Sequence, residues 1–295
     1  MKSITTVRIF SLLAFATQCG YLQAHDHLAA GATSSSPGAT LVFQNDGTFG
    51  GDTGFAFNLI AGTTNDAYLG YYYTDDLVFI ALAATLDNGG PEPGAAALGT
   101  YIQVRLLNIE GPAGATFGFW ETSQDGVDSS NLTWSVPVPY YNGTNLIHVT
   151  ESDGSPGSDP YGHIHGRIYS FTKPGLYTVT WQFVDTSTNG PGGGPVDLPP
   201  APFYLYYQAG FTIGSITQVT NSFNVTFAAP ANIPDSGIGP ATNYQLWSSP
   251  SMGTNENWQP VNNVVVGDDH LHTIAVPLTV PGQQFFRLGS DFMGN

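Results

Sequence analysis

The chain has 295 residues, of which only 9% are charged and 13% aromatic, with 36 Gly, 21 Pro and a formal net charge of −16. Few charges beside many aromatics and turn formers exclude a disordered chain. Six Lys and Arg in all exclude the basic footprint that nucleic acid requires.

In chain order, residues 1–24 have the layout of a secretory signal: Lys2 and Arg8, an apolar stretch over 9–16, then "YLQA" ending in a small residue. The apolar stretch is far shorter than the ~20 residues of a spanning helix. The expectation is a mature protein with no membrane span that is secreted, periplasmic or held at the cell surface. A second cut is open at Ala16, and a lipoprotein cut before Cys19 is disfavoured by the bulk of Gln18. Cleavage after Ala24 removes Lys2, Arg8 and no acid, so the formal charge goes from −16 to −18. It also removes Cys19, the single cysteine, and leaves His, Asp, Glu and the amino terminus as metal donors.

From there to residue 212 the chain reads as strand after strand. "TLVFQ", "GFAFNLIAG", "TYIQVRLLNI", "ATFGFWET", "LTWSVPVPYY", "NLIHVTES" and "PFYLYYQAG" are β-branched or aromatic runs bounded by Gly, Pro, Asn or Asp. In "YTVTWQF" the alternation is complete: Tyr177, Val179, Trp181 and Phe183 share one face. "DDLVFIALAATL" admits a helix, but its β-branched and aromatic neighbours favour a buried strand. The Gly- and Pro-rich run at 187–202 is read as a long hairpin loop, because "FYLYYQAGF" after it resembles a closing strand. A boundary is expected near Gly214. "SITQVTNSFNVTFAAP", "NYQLWSSPSM", "NWQPVNNVVV", "HLHTIAVPL" and "QQFFRLGS" then form a second set. The expected fold is all-β: an N-terminal antiparallel β-sandwich, jelly-roll-like, over 25–214, and a small fibronectin-III-like sandwich over 215–295.

Six of the seven histidines fall in H-x-H pairs: His25/His27 in "AHDHLAA", His163/His165 in "YGHIHGR" and His270/His272 in "DDHLHTI". Chance placement gives roughly 0.14 such pairs, so the clustering points to metal binding. On a strand, residues i and i+2 face the same way, about 7 Å apart at Cα, which lets both imidazoles reach one ion. Zinc takes three or four such donors, and copper a flatter, nitrogen-rich set. Further donors for His163 and His165 are His25, His27, His148, Glu151, Asp153 and Asp159. They compete with a plainer reading, in which the pair brackets the turn before a strand. Cleavage after Ala24 would place His25 at the amino terminus, where amine, amides and His27 chelate Cu(II) or Ni(II), or where a histidine brace forms. In the third pair, Asp268, Asp269, His270 and His272 offer mixed donors, and a turn entering an exposed strand explains them as well.

No G-x-S-x-G, H-E-x-x-H, Walker loop or Rossmann glycine pattern is present. Asp75–Asp76 has no readable glycosidase spacing. Asp46 and Asp52 lack the register of an EF-hand. Trp120, Trp134 and Trp181 lie in strand-like runs and are read as core rather than as a sugar platform.

Gly162, His163, His165, Phe171, Thr172, Pro174, Gly175 and Tyr177, with "EGPAGATFGFWETSQDG" before them, carry a resemblance to bacterial surface proteins of the choice-of-anchor M type, related to the actinobacterial surface-anchored repeat. It spans most of residues 25–212, its specific part lying within 110–183. It implies metal handling, since some relatives are encoded beside metal-uptake transporters or under zinc-responsive control, and a His soon after the signal. The chain departs from the pattern at 166–168, where the family has a polar residue and Trp. "NYQLWSSPSMGTNENWQPV" and "PGQQFFRLG" resemble an accessory β-module at the ends of exported proteins in the Verrucomicrobia and Planctomycetes.

These readings converge on an exported protein that binds zinc or copper through His163 and His165 with His25 and His27, for capture or storage, and catalysis is not implied. The alternatives are a metal-indifferent adhesion protein with cell-surface or matrix partners, a copper-dependent polysaccharide monooxygenase and a carbohydrate-binding module.

Overall fold

A computed structural model describes residues 26–45, 56–61, 68–74, 77–84, 94–121, 132–210, 213–229, 243–250, 258–261, 264–268, 270–278 and 284–290. The signal segment with Cys19, His25, Asp46, Asp52, Asp75, Asp76 and Asp269 lie outside them. The fold is all-β, and no α-helix occurs among the described residues. No helix among them is long and apolar enough to cross a membrane.

The first thirteen strands are β1 Asp26–Ala32, β2 Leu41–Asn45, β3 Ala56–Ala61, β4 Tyr72–Thr74, β5 Leu77–Ala81, β6 Ile102–Glu110, β7 Thr116–Glu121, β8 Leu132–Pro137, β9 Asn145–His148, β10 Gly162–His163, β11 Arg167–Phe171, β12 Gly175–Asp185 and β13 Phe203–Ala209. They build a four-stranded sheet in the order β10-β5-β1-β2 and a nine-stranded sheet in the order β8-β7-β11-β4-β3-β13-β12-β6-β9. Pairing is antiparallel except at β1–β5 and β3–β13, which run parallel. A parallel pair needs a crossover of a dozen residues or more, and the connections over 33–76 and 62–202 supply it.

The alternation of β12 sets the core. Tyr177, Val179, Trp181 and Phe183 are fully buried, while Thr178, Thr180 and Gln182 are half-buried on the other face. Phe79 of β5 meets Trp181 at 5.5 Å and Phe183 at 6.0 Å between ring centroids, and Phe117 of β7 and Tyr169 of β11 each lie 6.2 Å from Trp181. The nine-stranded sheet therefore folds back so that β7 and β11, like the four-stranded sheet, face β12 in a sandwich. Each fully buried aromatic contributes about 2–3 kcal/mol of transfer free energy. β13 pairs antiparallel with β12 from Ala209 opposite Gly175 to Phe203 opposite Trp181, so the Gly- and Pro-rich run is a loop between paired strands. Two buried acids pin that loop. Asp185 accepts hydrogen bonds from the backbone N–H groups of Tyr101, Ser187, Val196 and Asp197, and Asp197 from Ala97 N–H and the Thr100 hydroxyl.

The remaining strands are β14 Ile213–Val219, β15 Ser222–Ala229, β16 Asn243–Ser249, β17 Gln259–Pro260, β18 Val265–Val266, β19 His270–Pro277 and β20 Phe285–Ser290. One sheet has the order β14-β15-β19; in the other β17, β18 and β20 all pair with β16. Val225, Phe227, Ala229, Tyr244, Leu246 and Val276 form a separate core.

Candidate metal centre

Strand β5 is the floor of the site. β1 pairs with it in parallel, His27 beside Val78, and β10 pairs antiparallel along its other edge, His163 beside Ile80. Leu77, Phe79 and Ala81 point into the core, so Val78, Ile80 and their cross-strand neighbours His27 and His163 share the outer face. The two rings reach towards each other over β5. His163 Nε2 lies 3.0 Å from His27 Nε2, and the rings meet edge to face with centroids 4.7 Å apart.

His165 lies in the short connection after β10 and is exposed, its ring centroid 4.4 Å from that of His163. The next residue, Gly166, has φ +74°, a conformation that glycine takes freely, and the chain enters β11 there. Two features fix His163. The Glu151 carboxylate accepts a 2.7 Å hydrogen bond from its backbone N–H, and Glu151 N–H is itself bonded to the Tyr161 carbonyl. Gly162 passes so close to the 149–150 backbone that a Cβ there would lie 1.7 Å from the Val149 oxygen. The His163 ring is held below the usual imidazole pKa, chiefly by burial and then by the neighbouring His165 and His27, with Glu151 opposing. A neutral ring is the form that binds a metal.

The other predicted donors are elsewhere. His148, at the end of β9, faces Arg167, a buried residue whose Nη1 donates to the His148 carbonyl (2.6 Å) and whose Nη2 is 3.3 Å from His148 Nε2. The same guanidinium is paired with Glu121 at 2.9 Å. Burial first, and then the Arg167 charge, lower the His148 pKa, and a cation at its ring nitrogen opposes a second one there. Asp159 accepts from the N–H groups of Ala84 and Tyr161, and Asp153 from that of Ser155, so both carboxylates organise loops. Asp153 is held below its usual pKa mainly by that Ser155 contact. His270 and His272 lie together in β19, against Asp268. Among the described residues this is the one H-x-H pair with both members in a strand, since β10 ends at His163.

His27 is expected from the sequence as one of several partners of His163, and it is the one whose ring nitrogen lies 3.0 Å away; that Glu151 and Gly162 hold the strand beneath it is not written in the spacing. The acidic residue twelve positions before His163 was visible, but its action on a backbone N–H was not. Among the described residues, no three of His, Cys, Asp and Glu already stand together as a ligand set. Trp181 and Trp120 are buried, and Trp134 packs on the core. Compared with protein-family models, with curated proteins and with solved structures, the chain gives no match.

Proposed function

We propose that the protein is exported and captures a transition-metal ion, zinc or copper, outside the cytoplasm, through His27, His163 and His165 with His25 as a further donor. The observation that carries this reading is the 3.0 Å separation of two imidazole nitrogens from residues 136 apart in sequence. With Zn–N bonds of 2.0–2.1 Å, two nitrogens at that separation subtend about 95° at the ion, and a tetrahedral pair needs about 3.3 Å. A few tenths of an ångström of ring movement suffice. Burial lowers the His163 pKa and so weakens the competition of a proton with the ion. His165 is the third donor within reach, by rotation of an exposed side chain. The resemblance to choice-of-anchor M type surface proteins points the same way. No reaction is assigned to the site.

One observation favours a second reading. A 3.0 Å contact between imidazole nitrogens is also an ordinary N–H···N hydrogen bond, which would fasten β10 to β1 in a metal-indifferent adhesion protein with surface or matrix partners. Titration of the untagged, signal-processed protein with Zn(II) and with Cu(II), beside His163→Ala/His165→Ala, separates the two. Stoichiometric binding that the variant loses supports capture. No binding, or equal binding by both proteins, overturns it and leaves the histidines as a strand fastener.

A further inference from the structure

A second group of donors lies at the entry to β19. His270 and His272 occupy alternate positions of β19 and share one of its faces, and Asp268 stands two residues ahead of His270, before the strand begins. The backbone beneath them is fixed: Asp268 N–H donates to the Ala229 carbonyl at 2.8 Å, and β19 pairs with β15 so that His270 stands opposite Ala229 and His272 opposite Phe227. The His272 ring stacks on Phe227 with centroids 6.2 Å apart.

The polar atoms converge on one carboxylate oxygen. Asp268 Oδ1 lies 2.8 Å from His272 Nε2 and 3.8 Å from His270 Nδ1, and it also accepts from His270 N–H at 3.1 Å. His270 Nδ1 is 2.5 Å from the Asp268 carbonyl oxygen, which adds a fourth donor atom. All three side chains are between 29% and 49% exposed, so an ion can reach them without opening the core.

We infer that Asp268, His270 and His272 form a second site for a divalent first-row transition-metal ion, separate from the histidines of β1 and β10. Two imidazoles and one carboxylate on one side of an ion are the donor set that iron, cobalt and zinc accept with positions left for water. His272 Nε2 and Asp268 Oδ1, now in hydrogen-bond contact, would share the metal, and His270 Nδ1, now against the Asp268 carbonyl, would turn to join them. Donors around such an ion stand about 3 Å apart, so the wider of the two Oδ1 separations has to close by under 1 Å. A turn of the half-exposed His270 ring achieves that. The inference does not depend on the first site.

The test uses the untagged full chain and Zn(II) alone. Calorimetric titration should show that Asp268→Asn/His272→Ala binds one ion fewer than wild type, and His272→Gln should lose at least ~10-fold in affinity at this site. Imidazole ¹H–¹⁵N spectra of wild type and of His163→Ala/His165→Ala should both show the His270 and His272 signals moving with the first additions of Zn(II). Signals of His270 and His272 that stay unmoved at saturating Zn(II) would overturn the inference, whatever the stability of the variants. Full wild-type stoichiometry in Asp268→Asn/His272→Ala would do the same. An unchanged stoichiometry in His163→Ala/His165→Ala would instead count against capture by the first site.

Discussion

Gly162→Ala tests how the first site is held. A Cβ at this position would lie 1.7 Å from the Val149 oxygen, 2.6 Å from the Val149 carbonyl carbon and 2.9 Å from Thr150 Cα, all backbone atoms. Contact distance for such atoms is about 3.5 Å, so relief requires a shift of nearly 2 Å. The 149–150 segment is not free to supply it. Both of its N–H groups bond to the Ile102 carbonyl, and the Thr150 hydroxyl accepts from Ile102 N–H and donates to the Pro160 carbonyl. Strand β10, only two residues long, must move instead. A displacement of that size separates His163 Nε2 from His27 Nε2 beyond what one ion can span. Overpacking of this kind costs about 1–3 kcal/mol, a fall of roughly 2–10 °C in Tm for a chain of this size. Affinity for Zn(II) should drop at least ~10-fold. The control is Gly194→Ala: among the described residues its Cβ meets nothing nearer than the Pro191 oxygen at 3.7 Å, and its φ of −96° suits any residue. That change should stay within about 0.5 kcal/mol of wild type. Thermal melts with and without Zn(II), and a titration of each protein, decide the matter. A Gly162→Ala protein with the wild-type Tm and affinity would refute the reasoning.

Arg167→Met removes a buried guanidinium bonded to Glu121 and to the His148 carbonyl. Because the Glu121 side chain is 34% exposed and can rehydrate, the loss should be about 2–3 kcal/mol, below the usual range for a fully buried pair, and urea unfolding would measure it. Wild-type stability in the Met variant would refute this. Asp197→Asn should act in the opposite sense. Burial, with the Asp185 charge adding, raises the Asp197 carboxyl above its usual 3.8, and its Oδ1 has no hydrogen-bond partner among the described residues. The native state thus holds that proton more tightly than the unfolded chain, so the contribution to stability is complete in acid and lost as pH rises through the native value. The Asn variant should melt higher than wild type at neutral pH and lose that advantage in acid. A variant less stable at neutral pH, with the wild-type slope, would contradict it.

Much of the fold was readable because it is local. The alternation in "YTVTWQF" fixes which face of β12 is buried whatever its neighbours are. Paired strands on either side of 187–202 follow from "FYLYYQAGF" continuing the apolar pattern. "DDLVFIALAATL" was ambiguous because β5 is paired on both edges and buries Val78 as well as Leu77, Phe79 and Ala81, so its apolar run shows neither period cleanly. The parallel pairs β1–β5 and β3–β13 were not readable at all. A strand's direction relative to its neighbour depends on which distant segment arrives beside it, and no residue within Asp26–Ala32 or Ala56–Ala61 encodes that.

The same division runs through the two groups of histidines. His270 and His272 are brought to one face by the period of a single strand, and Asp268, just before it, reaches both through Oδ1, so the grouping lies within five consecutive positions. His163 and His165 have that spacing too, yet β10 ends between them, and the close nitrogen contact of His163 is to His27. Two strands flanking a third stand about 9.6 Å apart. Two imidazoles leaning inward from β1 and β10 cover that gap, provided the central strand carries nothing taller than Val78 and Ile80 between them. The H-x-H spacing therefore marked the right residues for a geometry it does not itself produce. What joins them is the sheet order β10-β5-β1, and that order rests on Gly162 allowing β10 to lie against the 149–150 backbone.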